Sequence, residues 1–548
     1  MEKEEDKPAA EDEVVRQESN GGPSEEDEES AVVAAAAVEE MEARVDSQSA
    51  MDEEDEDEEE DIDVDPSAFF PPSTSSSDND DAESSASEDE RDLWTRPPHT
   101  WHLSSALRRR ELGAPAGANP PGLRFAHDAR GSRHVADRLQ LLSNLNGHQG
   151  CVNCAGFNES GRLLASGSDD LDIRIWDWAA RRCLRRFHSG HNMNVFQAKF
   201  VGGSGDCHIV SCARDGQVRI AQLSGAGDLR ETRRLVRHKS SAHKLALHSD
   251  CPHQVLSCGE DGAVLEIDLR DPHPNKLVLA KKEDGNGVVE LYSIHSDPIR
   301  SEYFLVSGRD PHVRLYDRRY IRDWKKDSKP LHFYYPQHLP NKEHYDITCA
   351  VFSYDGSEIL ASYNDENAYL FDVNSKEMLQ CYQGHRNSQT VKGINFWGSR
   401  SEFVVSGSDC GHLFIWDKGS GGLLNALEAD EEGVVNVLEP HPASAFLATA
   451  GLDHDVKIWA PLLHTEALHP NLSPRIKKLV HRNRRSRARM SNRSGSGVFH
   501  LIMEQMVRSA ARQRMERSGA GNGEQTDEDD GRGGSSQNSV RPAMSAQH

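Results

Sequence analysis

Through the middle of the chain, apolar and polar residues alternate in short runs such as Val218-Arg219-Ile220 and Val456-Lys457-Ile458. A period of two is the mark of a strand with one face buried. Seven such runs share one ending: a small residue, an aspartate after a short gap, alternating β-type residues, then a bulky apolar or aromatic anchor. The anchors fall at Trp176, Ala221, Ile267, Tyr316, Phe371, Trp416 and Trp459, with spacings of 45, 46, 49, 55, 45 and 43 residues. A unit recurring at that period signals a repeat architecture, and it outweighs any single local reading. One such sheet cannot bury both of its faces alone, so neighbouring units must stack on one another.

The repeats carry further marks. Several open with Gly-His, at Gly147-His148, Gly190-His191 and Gly384-His385, and two close with Trp-Asp, at Trp176-Asp177 and Trp416-Asp417. Between residues 135 and 462 the chain therefore resembles the WD-repeat family. That resemblance implies an all-β fold, a seven-bladed WD40 β-propeller of four-stranded blades around a central channel. Within a repeat such as the first, His148, Ser166, Asp170 and Trp176 are of types that can hydrogen-bond across strands and satisfy one another when buried. The seventh repeat ends at Trp459-Ala460-Pro461 with no good fourth strand after it, and residues 135–142 are expected to supply that strand and close the ring. Residues 320–345, rich in Lys, Pro, His and Tyr, fill the longest spacing and are expected to form a loop projecting from the disc. Position 410 carries Cys where the other six repeats carry Asp.

The flanks differ in composition. Residues 1–93 hold 37 Asp and Glu against 5 Lys and Arg, so they carry −32 of a chain whose net charge is −27, and the rest is +5. Residues 51–65 are nearly all acidic and residues 73–87 are Ser-rich, a composition that cannot bury enough apolar area to order itself. A long disordered acidic N-terminal tail is expected, and acid-directed phosphorylation around Ser85 and Ser87 would deepen its charge. Residues 94–134 read as a short amphipathic helix near 98–113 and a linker, with Pro115, Pro120 and Pro121 ending the helix. After the propeller, residues 463–517 form a basic, partly helical segment with a helical stretch at 498–517, and a disordered tail follows from 518 to 548.

Several functions are disfavoured on this reading. The longest apolar run, residues 31–38, is too short to span a bilayer, and no basic and apolar leader opens the chain. The 10 cysteines are sparse and irregular, which fits a reducing compartment without a disulfide framework. Cys151-Val152-Asn153-Cys154 is a lone C-x-x-C, so no metal site is expected. There is no phosphate-cradling loop and no nucleophile elbow, so no catalytic residue and no cofactor are assigned.

One motif does carry chemistry. Asp-x-Arg follows the anchor in two adjacent repeats, as Asp268-Leu269-Arg270 and Asp317-Arg318-Arg319. Arginine presents a rigid planar fork of donors and is enriched in binding hot spots. The tandem pair resembles the signature of substrate receptors of cullin-four ubiquitin ligases, which implies that Arg270 and Arg319 contact a DDB-type triple-propeller adaptor. Further runs, among them residues 194–200, 361–365, 401–412 and 451–460, make the chain similar to the DDB/cullin-four-associated factor eight family from about Trp101 to Pro461. The resemblance also implies an N-terminal helix that docks on the adaptor; a helix-in-groove mode would use Trp101, Leu103 and Leu107 as anchors. The alternative is that this helix packs across its own propeller.

The expected function is thus a non-enzymatic receptor that docks on a cullin-4 ligase by one face. The opposite face, with the 320–345 insertion, would present an unknown substrate protein. The competing expectation is a non-ligase scaffold or a histone- or chromatin-binding propeller, because the fold hosts both. The basic cluster Lys477, Lys478, Arg482, Arg484, Arg485, Arg487 and Arg489 reads as a nuclear import signal, a nucleic-acid patch, or a solvated run that folds back on the acidic tail. Without interleaved aromatics, sequence-specific nucleic-acid reading is not expected. Nucleus and cytoplasm are the expected locations.

Overall fold

The computed structural model describes residues 93–94, 96–112, 121–225, 227–248, 250–271, 273–283, 287–324, 329–339, 345–431, 433–462 and 474–491. Seven four-stranded antiparallel sheets account for nearly all of the region between residues 139 and 461. Blades one to six span residues 152–188, 195–237, 242–279, 291–334, 347–382 and 394–428, each running from its innermost to its outermost strand in chain order. Innermost strands of successive blades neighbour one another right round the ring.

Closure uses the N-terminal side of the chain, as expected. The seventh blade takes three strands from residues 435–461 and its outermost strand from Leu139–Asn146, antiparallel to Asp455–Pro461 with Leu145 opposite Val456. The expected bounds need correction. The strand runs from 139 to 146 rather than 135 to 142, because Val135 lies in a helical turn, Arg133–Asp137, whose Ala136 is fully buried beside Trp397 and Trp459.

Antiparallel connectivity divides the propeller into two faces. Turns between first and second strands and between third and fourth strands lie on one, here called the lower face. Turns between second and third strands, and the links from blade to blade, lie on the other, the upper face. The 320–345 insertion straddles both. Residues 332–334 form the fourth strand of blade four, so residues 320–331 belong to the lower face and residues 335–346 to the upper. The expectation of one projecting loop fails because blade four takes its outer strand from within the insertion, at residues 332–334.

The expected cross-strand network is present. In blade one, His148 Nδ1 meets Asp170 at 2.9 Å, its Nε2 meets Ser166 Oγ at 2.7 Å, and Trp176 Nε1 donates to the same hydroxyl at 2.8 Å. Blades two and three repeat the His–Asp–Ser part with His191, Asp215 and Ser211, and with His238, Asp261 and Ser257. The carboxylates pay no visible penalty for burial: His148 and backbone N–H donors hold Asp170 down at about 2 although desolvation pushes it up. Blade six breaks the pattern. With Cys410 in the Asp position, neither ring nitrogen of the buried His385 has a partner among the described residues, and burial drives its pKa down to about 3.

Among the described residues, four helices accompany the disc: α1 (Leu103–Glu111), α2 (Pro121–Arg130), α3 (Arg133–Asp137) and α4 (Pro474–Ser491). The described residues of 94–134 therefore hold three helices, where one helix and a linker were expected. Pro121 starts α2 rather than ending α1, since a proline at the first helical position loses no hydrogen bond. The basic segment is helical at 474–491, whereas the expected helix at 498–517 and both expected disordered tails lie outside the described residues.

Candidate docking faces

Asp268 and Asp317 are the last residues of the third strands of blades three and four, so Arg270 and Arg319 fall at equivalent places on the lower face. Both arginines are exposed, with 65% and 56% of their side chains accessible. Each folds back on its own aspartate. Arg270 donates from Nε to Asp268 Oδ1 at 3.0 Å and from a terminal nitrogen to Oδ2 at 2.7 Å. Arg319 grips Asp317 in the same way, at 3.1 and 2.8 Å, and lies 5.7 Å from the centre of the Tyr303 ring. The Arg270 guanidinium holds the Asp268 carboxyl down at about 2, and hydrogen bonds from Arg319 lower Asp317 likewise. Both pairs thus stay ionised across the physiological range, with each fork fixed before any partner arrives.

The arginine between them does something else. Arg318 reaches across to blade three, pairing with Glu266 and hydrogen-bonding Gln254 at 3.1 Å and His248 at 3.2 Å. It is an inter-blade clasp and it is half-buried, while its neighbour Arg319 faces solvent. Spacing to the anchor distinguishes the two; residue type does not.

The lower-face turns form a continuous arc away from this pair. Arg300 of blade four hydrogen-bonds Gly356 O of blade five at 2.9 Å, and Tyr354 N donates to Ser401 Oγ of blade six at 3.0 Å. Ile299, Tyr320 and Tyr354 stand exposed along it. Sequence reasoning missed these three, because a lone apolar residue in a turn has no periodicity to reveal it. At its far end the arc meets the N-terminal helices: Ser399 Oγ donates to His127 O at 2.7 Å and Arg130 donates to Pro442 O at 3.2 Å.

On those helices the candidate anchors separate. Trp101 is half-buried, with its ring 5.7 Å from Phe125 of α2 and 6.2 Å from His134 of α3. It fixes the hairpin. Helix α1 buries none of its residues, and Leu103 (52%) and Leu107 (38%) remain accessible along with Leu112 and Leu123. The alternative of a helix packed across its own propeller is not what is seen: α1 leans on α2, and its leucines face outward.

The basic cluster lies on the other side of the disc. Helix α4 buries Ile476, Leu479 and Val480 with Leu93 in the apolar cluster of blades five and six. Asn483 donates to Gly384 O at 3.0 Å and to Cys410 Sγ at 3.4 Å, which are upper-face positions. Arg484 and Arg487 hydrogen-bond Gln383 at 3.0 Å and Asn367 at 2.7 Å, whereas Lys477, Lys478, Arg482 and Arg485 are exposed. The side chain of Arg489 lies outside the described residues. The run therefore lies on a docked helix, two of whose arginines are engaged by the propeller while the other described cations face solvent.

A closed ring of seven four-stranded blades, with the His–Asp–Ser network in blades one to three, defines the class: the fold is a seven-bladed WD40 β-propeller. Comparison with known sequences agrees. The family model "WD domain, G-beta repeat" matches residues 139–177, 376–417 and 421–460. Over 283 residues, half of this chain, it is 31% identical to the mouse (Mus musculus) protein "DDB1- and CUL4-associated factor 6", covering 31% of that protein. It is 32% identical over 320 residues to mouse "WD and tetratricopeptide repeats protein 1", covering 52% of this chain and 46% of that one. It is also 32% identical over 272 residues to Arabidopsis thaliana "Protein ALTERED SEED GERMINATION 2", covering 43% and 36%. The chain thus spans less than half the length of the curated relatives it matches.

Proposed function

We propose that this chain is the substrate-recognition subunit of a cullin-4 ubiquitin ligase and docks on a DDB-type adaptor through its lower face. The carrying observation is the pair of exposed, pre-set Asp–Arg forks at equivalent ends of adjacent blades. An arginine already held in place gives up little conformational freedom on binding. The exposed residues Ile299, Tyr320 and Tyr354 would add apolar contact, and the leucines of α1 would supply a helix-in-groove anchor. A relative named as DDB1- and CUL4-associated supports the reading. The receptor itself does no chemistry; it raises the concentration of a client beside the transfer machinery.

Co-purification with the adaptor tests the proposal. Arg270→Ala combined with Arg319→Ala is expected to abolish it while the melting temperature stays unchanged. Arg318→Ala is the counter-variant. It strands Glu266 at the joint between blades three and four and should cost about 2–3 kcal/mol of stability while sparing the adaptor at temperatures where the fold survives. Undiminished co-purification of the double variant would remove the basis of the proposal and favour a scaffold independent of any ligase.

A further inference from the structure

The circumference of the disc carries a basic surface that neither face explains. Each blade ends in an outermost strand with no further strand beside it. Charged side chains on such an edge often serve only to block pairing with another chain. Were that their whole role here, cations would be spread round the ring, but the chain concentrates them. The outermost strand of blade one, Arg182–His188, carries Arg182, Arg185 and Arg186, and that of blade two, Leu229–Arg237, carries Arg230, Arg233, Arg234 and Arg237. The other five outermost strands, residues 139–146, 275–279, 332–334, 378–382 and 423–428, hold one Lys or Arg between them, Lys276.

The two strands form one surface. Arg185 of blade one meets Asp228, just before the blade-two strand, at 3.2 Å, and Arg186 pairs with Asp172 at 2.6 Å. Arg182, Arg230, Arg233, Arg234 and Arg237 are exposed, and none has an ion-pair partner among the described residues. Other exposed arginines of the disc are answered: Arg270 by Asp268, Arg300 by Asp297 and Arg319 by Asp317. Glu231 is the one carboxylate on the two strands. Five clustered guanidinium groups without counter-charges build a positive potential that draws in a polyanion.

The neighbouring side chains say which polyanion fits. Protein interfaces centre on a desolvated aromatic or aliphatic cluster, and the large apolar side chain exposed on these strands is Leu229 alone. Phe187 is the only Phe, Tyr or Trp on them and it is buried, so unpaired bases have no ring to stack on. Arginine forks pair with phosphate oxygens, and the row from Arg230 to Arg237 is about 20 Å long, the rise of about six base pairs. We propose that the rim of blades one and two binds the phosphate backbone of duplex DNA without reading its bases. An RNA duplex is held through 2′-hydroxyls over about 16 base pairs, more than this row spans. The rim lies off both faces, so the inference goes beyond the receptor reading and does not depend on it.

The test uses the full chain and a fluorescent DNA duplex of about 20 base pairs, titrated between about 0.05 and 0.2 M salt. Five phosphate contacts give an affinity that falls with log salt at a slope of about −4.5. The combined variant Arg230→Gln, Arg233→Gln, Arg234→Gln and Arg237→Gln should bind more than about tenfold more weakly. It should flatten the slope by about one for each arginine and leave the melting temperature unchanged. Lysine at the same four positions keeps the charge and should restore most of the affinity. Lys477→Gln with Lys478→Gln on α4 should leave affinity and slope nearly unchanged. So should the Arg270 and Arg319 double variant, which separates a failure of this inference from a failure of docking. A polyglutamate peptide and an RNA duplex should each bind more weakly than the DNA. No binding by the full chain would overturn the proposal, as would binding that survives the glutamine variant, binding lost in the α4 variant, or equal capture of polyglutamate or RNA.

Discussion

Ring closure can be tested by removing the strand Leu139–Asn146 from its pairing. The perturbation replaces these residues with a Gly/Ser run of equal length, so that the N-terminal helices stay tethered. Leu139 and Leu145 are each 1% accessible, and burying a leucine contributes about 2–3 kcal/mol. The strand pairs with Asp455–Pro461 from end to end apart from one irregularity between Leu141 and Ser143, a ladder of roughly half a dozen backbone bonds at about 1 kcal/mol each. The sum, roughly 10 kcal/mol, is comparable to the whole stability of an ordinary domain, about 5–15 kcal/mol. The variant should lose its cooperative melt by calorimetry, and the uncovered edge of blade seven should make it associate on gel filtration. A graded pair guards against over-reading an unfolded protein. Leu145→Ala should cost about 2–5 kcal/mol, whereas Leu141→Ala, at a largely exposed site, should cost less than about 0.5 kcal/mol. A Gly/Ser variant that melts with the parent, or equal effects of the two alanines, would refute closure by this strand.

Two further outcomes follow from the buried histidines. His148→Phe should cost about 2–3 kcal/mol by thermal melting because it strands Asp170 and Ser166, while His385→Phe should cost almost nothing, since His385 has no hydrogen bond to lose and its ring already packs edge-on to Trp416 at 5.4 Å. Acid should destabilise the propeller between pH 7 and 5. Burial lowers His385 and His295 to about 3 and His248 and His441 to about 4, all below the ordinary 6.5, so the unfolded chain binds the extra protons as pH falls and each neutral histidine costs about 2 kcal/mol by pH 5. Asp346, Asp365 and Asp430, raised to about 6, act in the opposite sense and return about 1.4 kcal/mol each over the same window, leaving a net loss of about 4 kcal/mol. A calorimetric midpoint that rises on acidification to pH 5 would contradict this balance.

The repeat was legible because every blade spends residues on the same local problem. Alternation, the anchor and the Gly-His turn recur wherever a third strand must end and a new blade begin, so the blade count and the His148 network could be read directly. Closure was legible for a complementary reason, a blade with one strand too few. What escaped was decided by tertiary demand. Residues 332–334 carry no strong strand pattern, yet blade four needs an edge and recruits them. Cys410 looked like a plain departure, whereas it marks where α4 lays Asn483 against the blade. The charge of the 475–489 run announced itself, but the stripe of Ile476, Leu479 and Val480 beneath it settled its role as a docked helix. The Asp-x-Arg pairs were found by spacing, but the exposed Ile299, Tyr320 and Tyr354 beside them sit in turns that obey no period.

Connectivity ties these features to function more firmly than any one contact does. In an antiparallel blade the end of the third strand can reach only one face, so Arg270 and Arg319 share the lower face by topology and not by a chance rotamer. The outermost strand of each blade is equally bound to the circumference, which puts Arg182, Arg230, Arg233, Arg234 and Arg237 on the rim. Helix α3 runs into the lower end of the closing strand and thereby keeps the α1–α2 hairpin on the lower side, while α4 sits on the upper. Partners bound to the two faces would be held apart by the length of one strand, about 20 Å for six residues. Substitutions should then segregate by place: lower-face changes should move adaptor affinity and leave DNA affinity alone, and rim changes the reverse. Cross-effects would require the disc to bend, and closure of blade seven by the Leu139–Asn146 strand is what resists that.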